Sequence, residues 1–357
     1  MPRAPLDGSD LRRQDLRGMD LQEASAWGAD LSGAVVSRQE TALAVRGRSL
    51  RGAQLGGASL AQAVLAHANM GVAMLAGADL RDADLEGGDL ALAELAGADL
   101  RGARLARATL REATLSGARL EGADLSGASL EGVIAGGSRW VDARLHGADL
   151  RRADLKGADL TGATLADAVL HEADLSGATL TGADLSRARL CRAEPLWAVT
   201  AWGARMERVC LRAAQLAGAL LSGARLGGAD LREADAREAQ LRGVGLVRAD
   251  LRDANLGRAY LDGADLREAD LRGADLSGAV LARANLRGAN LAGALLEGAD
   301  LREADLEGAD LSGARCARAS FWRARLWMAA TRGGDFLDAN LTGATLPNDF
   351  DWMLLEP

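Results

Sequence analysis

The 357-residue sequence predicts an all-β solenoid, a parallel β-helix built from square coils. Three observations carry that prediction: a period of five residues, a leucine recurring on it, and an alanine two residues before each leucine. The stretch GADLREADLRGADLSGAV, from Gly263 to Val280, shows all three. From position 50 to 190, 26 of 29 period positions are Leu, and from 206 to 346 it is 23 of 29, so the repeat governs most of the chain.

A step of five turns a residue about 140° around an α-helix and would scatter the leucines over every face. In a flat strand an odd step sends successive leucines to opposite faces. Neither gives a one-sided core. A backbone that repeats a short extended piece and a corner every five residues does, because Leu and the preceding Ala then always point inward. Four such corners close a square of twenty residues, and coils stack as parallel strands about 4.8 Å apart.

The other positions fit. Gly is frequent three residues before the Leu, as at Gly77, Gly97, Gly157 and Gly263, where a corner calls for an unusual φ. Asp or Asn precedes the Leu, as at Asp79, Asp99, Asp250 and Asn285, where its side chain accepts from a nearby backbone N–H. These acids are structural in the first instance.

The A(D/N)LxG pattern, covering about nine tenths of the chain, resembles the pentapeptide-repeat family. The resemblance implies a right-handed quadrilateral β-helix, here of about 16 coils with a C-terminal cap and some 75 Å long. It also implies a bacterial protein, and the family includes topoisomerase-binding DNA mimics, secretion-associated proteins and developmental regulators. In several members the C-terminal end makes a homodimer, which the resemblance allows here.

The leucine register divides the chain. Repeat coils occupy 1–36; 37–49 reads SRQETALAVRGRS, a loop or insertion; 50–190 is a long repeat segment; 191–205 breaks the register by one residue; 206–346 is a second long segment; 347–357 is a cap. The break holds Pro195, Trp197 and Trp202, and reads either as a corner bulge in a continuous stack or as a hinge or docking site. Toward the end, Cys316, Phe321, Thr331 and Phe336 replace Leu, Trp322 and Trp327 fall on outward positions, and Phe350 and Trp352 lie in the apolar tail.

Charge and composition exclude several functions. The formal charge is -8, with 50 acidic and 42 basic residues, so no net basic surface invites nucleic acid directly. Cys191, Cys210 and Cys316 match no metal spacing and read as reduced thiols, while no apolar run reaches membrane-spanning length. Met1 to Asp10 carries no signal pattern, so a cytoplasmic location is expected, signal-independent export aside. His67, His146 and His171 stand on outward positions with no shared metal spacing. No nucleophile elbow, phosphate loop or Cys/His cluster occurs, and the repeat generates paired carboxylates automatically. No enzyme, metal or cofactor is expected.

Interaction remains. Stacking residues twenty apart puts Asp230, Asp250, Asp270, Asn290 and Asp310 in one column beside Arg232, Arg252 and Arg272. A DNA mimic needs a one-sided acidic face, but residues 50–190 hold 19 acids against 14 bases and 205–313 hold 18 against 15. The sequence therefore reads first as a non-catalytic scaffold whose candidate contacts are Trp197, Trp202, Trp322, Trp327, Trp352, Asp230, Asp250, Asp270 and Asp310. A gyrase-binding DNA mimic and a part of a bacterial secretion machine, which the tail LPNDFDW faintly resembles, are the alternatives.

Overall fold

A computed structural model describes residues 9–14, 49–191, 199–348 and 350. The chain divides into two compact units, Met1–Ala183 and Asp184–Pro357. Each is a quadrilateral parallel β-helix, in which every corner-to-corner piece contributes a single bridge residue rather than a long strand.

In the first unit the bridges run in steps of twenty, as in Asp79↔Asp99 and Thr114↔Ile134. One pentapeptide shows how the coil is closed. The Leu75 N–H donates to Glu94 O at 2.6 Å and the Gly77 N–H to Ala96 O at 2.9 Å in the next coil. The Asp79 N–H donates back to Ala58 O at 2.9 Å, and the Ala78 N–H closes the corner onto Leu75 O at 3.0 Å. Pairing of this kind satisfies the backbone of a chain with no wide sheet. The corner's third residue has positive φ, the signature of a type II turn.

Glycine suits that site, and Gly77, Gly97, Gly157 and Gly263 have φ between 62° and 65°. Other residues hold it too: Val72 (φ 53°), Leu92 (φ 60°) and Met328 (φ 58°) take the same left-handed conformation. The stacked neighbours therefore impose the corner whatever the side chain, at a strain of roughly 1–2 kcal/mol for a non-glycine residue. Those three are also among the exposed large apolar side chains.

Inward, Leu and Ala are almost wholly buried, as at Leu75, Ala78 and Leu80. Where the first unit departs from this, it does so in compensating steps. Ala135 stands where Leu is expected, and the next inward Leu position holds a fully buried Trp140. Between them Ser138 replaces Ala, accepts from Trp140 Nε1–H at 2.6 Å and donates to Ala135 O. The indole thus fills the volume Ala135 gives up and keeps its one donor satisfied.

In the second unit the step is again twenty from Thr200↔Leu220 onward, but Asp184 pairs with Arg205 and Arg189 with Cys210, twenty-one residues on. The Leu185 N–H still donates to Arg205 O at 2.6 Å and the Leu190 N–H to Cys210 O at 2.8 Å. The extra residue is absorbed without interrupting the stack of this unit. Residues 192–198, with Pro195 and Trp197, lie outside the described residues.

At the far end Phe321 and Phe336 fill inward positions with ring centroids 5.7 Å apart. Phe350 is buried and meets Phe336 edge-on at 5.6 Å, and Pro347 is buried beside it. This much of the tail covers the last coil; Trp352 lies outside the described residues.

The corner geometry gives a clean test at Gly97, where a Cβ would meet nothing within 4 Å. Gly97→Val is expected to cost about 1–2 kcal/mol in denaturant unfolding through the backbone alone, and Gly97→Asn clearly less. Equal costs would show that the left-handed corner is not the constraint.

Candidate protein-interaction surface

Outward side chains come from three positions of each pentapeptide: the bridge residue before Leu, the residue after Leu, and the left-handed corner. The bridge residue is largely occupied with its own turn. Asp79 Oδ1 accepts the Arg81 N–H at 3.2 Å, and Asn69, Asp159 and Asn255 accept from the residue two ahead in the same way. When that next residue is Arg, its guanidinium also folds back on the carboxylate.

Four of the predicted site residues sit on one face of the second unit. Asp230, Asp250 and Asp270 are each held by a two-pronged contact from Arg232, Arg252 and Arg272, with Nη2–Oδ2 distances of 2.6 Å. The arginines also lean to the next coil, Arg232 Nε 3.5 Å from Asp250 and Arg252 Nε 3.7 Å from Asp270. Asp310, with Ser312 after it, accepts the Ser312 amide at 2.9 Å instead. The column of carboxylates is therefore an alternating ladder of charge, and it presents no acidic stripe.

The arginine contacts hold Asp230, Asp250 and Asp270 below the ordinary carboxylate range, chiefly through the side-chain hydrogen bond, against a smaller opposing effect of burial. The same cause lowers Asp79, Asp99 and Asp149 in the first unit and Asp235, Asp265 and Asp300 in the second.

The same face carries a feature the sequence reading had wrong. Cys191 and Cys210, expected as free thiols, form a disulfide with Cα atoms 5.4 Å apart. Cys191 follows an inward Leu and Cys210 precedes one, the diagonal that joins Arg232 to Asp250. That diagonal spans eighteen residues in the regular array and nineteen across the inserted residue, so the bond lies where the ion pairs lie. Cys316 is a free thiol in the core, where burial pushes its pKa up.

Of the aromatic candidates, Trp202 is 57% exposed and Trp327 47%, with Met328 beside Trp327 at 70%. Trp322 is half-buried, and Arg323 stacks on its ring at 4.3 Å. Trp197 and Trp352 lie outside the described residues. The remaining candidates are thus separated: the aspartates on the arginine face, Trp202 and Trp322 on another, Trp327 on a third. His146, on an outward position as expected, has Nδ1 3.7 Å from Asp167. Among the described residues no group of three His, Cys, Asp or Glu is placed to hold a metal, and no helix is long and apolar enough to cross a membrane.

One surface escaped the sequence reading. Thr200, Leu220, Gln240, Tyr260 and Val280 form an uncharged column of bridge residues, with Trp202 and Trp322 on the adjoining column. Stacking by twenty finds it as readily as it finds the aspartates.

Two outcomes are expected. Cys191→Ser should lower stability by about 3 kcal/mol in oxidising buffer, the entropy of a closed loop of this size, and by almost nothing under reductant. An equal loss in both would mean that the thiols are not joined. Because the named aspartates have folded pKa values below their unfolded ones, their stabilisation is complete above the ordinary carboxylate value of about 3.9 and is lost as pH falls through the depressed folded values. The urea midpoint should fall below about pH 4, and Arg252→Gln, which touches both Asp250 and Asp270, should flatten that fall; an unchanged slope would remove the arginine contacts as its cause.

A family model agrees with this architecture. The model of the family of pentapeptide repeats matches eight times, at residues 3–38, 49–90, 93–132, 135–167, 158–194, 210–244, 246–281 and 279–315. No curated protein is close enough in sequence to count as a match. Among solved structures, HetL, a pentapeptide repeat protein involved in heterocyst differentiation regulation in the cyanobacterium Nostoc, is 32% identical over 75% of this chain and 90% of its own, with a TM-score of 0.22. QnrB1, a plasmid-mediated fluoroquinolone resistance protein, is 17% identical over 68% of this chain and 93% of its own, with a TM-score of 0.24. Rfr23 from the cyanobacterium Cyanothece is 31% identical over 32% of this chain and 63% of its own, with a TM-score of 0.15. With its right-handed quadrilateral coils and a repeat matched over most of its length, the chain belongs to the pentapeptide-repeat family.

Proposed function

We propose that this protein is a non-catalytic scaffold that binds other proteins through the outward side chains of its coils. The observation that carries this is the internal neutralisation of its charges: Arg232, Arg252 and Arg272 close on Asp230, Asp250 and Asp270, while uncharged and aromatic residues are left facing outward. Protein interfaces favour such a surface, with aromatic anchors and few free charges at the centre. Among the described residues, an interior filled by Leu and Ala leaves no deep cleft for catalysis.

The DNA-mimic reading is weaker on the same ground, since mimicry needs carboxylates that stay unpaired. Capture of partners by the full chain from its native cell separates the two, combined with a gyrase supercoiling assay. The scaffold reading expects identified protein partners, at least a several-fold loss of capture with Trp202→Ala and Trp327→Ala together, and no effect on supercoiling at micromolar protein. Inhibition or protection of gyrase at that concentration would replace it with the mimic.

A further inference from the structure

One side of the second unit carries its charges in alternating rows. Each row is the outward part of one coil between two corners, and rows twenty residues apart stack through the bridges Gly245↔Asp265, Asp265↔Asn285, Asn285↔Asp305, Asp305↔Arg325 and Arg325↔Thr345. Row 242–248 presents Arg242 and Arg248, and row 282–288 presents Arg283 and Arg287, with no acid in either. Rows 262–268 and 302–308 are acidic, with three carboxylates against one arginine in each. Row 322–328 is basic again, through Arg323 and Arg325. The alternation stops there, because row 342–348 holds Thr342, Thr345 and Asn348 and no charge.

Ion pairs join these rows in one direction. Arg242 meets Asp262 at 3.3 Å and Arg248 meets Glu268 at 2.7 Å. Arg283 meets Glu303 at 3.0 Å and Arg287 meets Glu307 at 2.5 Å. Each of these basic rows thus closes on the acidic row that follows it, and row 322–328 is followed by an uncharged one. Arg325 turns back instead, to Asp305 at 3.4 Å and Glu307 at 3.5 Å, carboxylates of a row that Arg283 and Arg287 already engage. Arg323 makes no ion pair among the described residues, and its guanidinium lies over the Trp322 ring at 4.3 Å. The row ends at the corner of Trp327 and Met328, both exposed. From Leu311 to Gly334 the sequence holds five arginines and no acid, a local reversal in a chain of net charge -8.

The chemistry that completes such a row is a set of carboxylates, which is what every earlier basic row of this side receives from the chain itself. The setting also limits the size of the ligand. Glu303, Asp305 and Glu307 lie one coil behind the arginines, about 4.8 Å away and well inside the screening length of about 10 Å at moderate salt. A long polyanion or a planar anionic surface would be brought against those acids along with the arginines. Base stacking is restricted too, since Arg323 already covers one face of Trp322. A short acidic segment needs no more surface than rows 322–328 and 342–348 offer, and an apolar residue within it has Trp327 and Met328 to pack on.

We propose that this end face binds a short acidic segment of a partner protein, its carboxylates on Arg323 and Arg325 and one aromatic or large apolar side chain against Trp327 and Met328. The inference rests on the scaffold reading and specifies the class of partner and the face that takes it.

The test is fluorescence anisotropy with the full chain and a short fluorescein-labelled peptide that has glutamates on both sides of a central Phe. Saturable binding is expected, weakened about ten-fold by Arg323→Gln and by Trp327→Ala, weakened likewise when the glutamates become glutamines or the Phe becomes Ser, and unchanged by Arg272→Gln on another side. Thermal melting confirms that each variant folds. Binding indifferent to Arg323→Gln and Trp327→Ala would overturn the face. Tighter binding of oligothymidylate, of phosphatidylserine vesicles or of a labelled second copy of the chain would overturn the acidic segment as its occupant. Peptide binding that appears only when Asp349, Asp351 and Glu356 are all replaced by their amides would assign the face to the chain's own end and overturn a partner. No peptide binding while the full chain still captures partners would overturn this inference alone; no binding together with failed capture would overturn the scaffold reading as well.

Discussion

Everything in this protein depends on closing a corner every five residues while stacking the result on an identical coil. The corner takes a left-handed residue, the stack takes backbone hydrogen bonds in both directions, and the enclosed space accepts one Leu and one Ala per side. Because neighbouring coils fix the backbone, individual side chains have little say in it. Val72 and Leu92 are held in a conformation neither would choose, and the strain is borne because the surrounding hydrogen bonds leave no alternative. The interior is equally strict about volume: Trp140 is accommodated only beside Ala135, with Ser138 satisfying the indole.

That rigidity decides where function can reside. The bridge-position carboxylates, which in another fold would suggest acid–base chemistry or a metal, are acceptors for their own turns and for the arginines that follow them. Their depressed pKa values report structural pairing, and perturbed carboxylates here point away from catalysis. On the proposed scaffold reading, recognition falls to outward positions where the repeat supplies neither Asp nor Arg, among them Leu220, Tyr260 and Val280 and the tryptophans Trp202, Trp322 and Trp327.

The inward columns, the asparagine and aspartate turns and the glycine corners were legible in the sequence because each follows from a period of five. The exceptions were less legible for a physical reason: they involve two or three positions acting together. Trp140 looks like an isolated intrusion until Ala135 and Ser138 are read with it. The tyrosine face follows from the same stacking by twenty, but Thr200, Leu220, Gln240, Tyr260 and Val280 are of mixed type and share no charge that would set the column apart. In the tail, Phe350 meets Phe336 edge-on. Trp197 and Trp352, two of the residues the sequence singled out, fall outside the described residues.

The disulfide shows most directly how one constraint propagates. A single inserted residue leaves Arg189 paired with Cys210, so the columns of the second unit keep their identity across the break. Had the insertion rotated the coil by a whole side, Arg189 would have met a residue five places away. Because the phase is kept, the diagonal between a residue after Leu and the bridge residue of the next coil is kept too. Farther along that face two such diagonals are spanned, by Arg232 to Asp250 and Arg252 to Asp270, contacts between partly exposed groups that are individually weak and screened by salt. At the coil that carries the extra residue, the same diagonal is a covalent bond between Cys191 and Cys210. The strongest available link on this face of the second unit therefore stands at the one place where its bridges step by twenty-one instead of twenty.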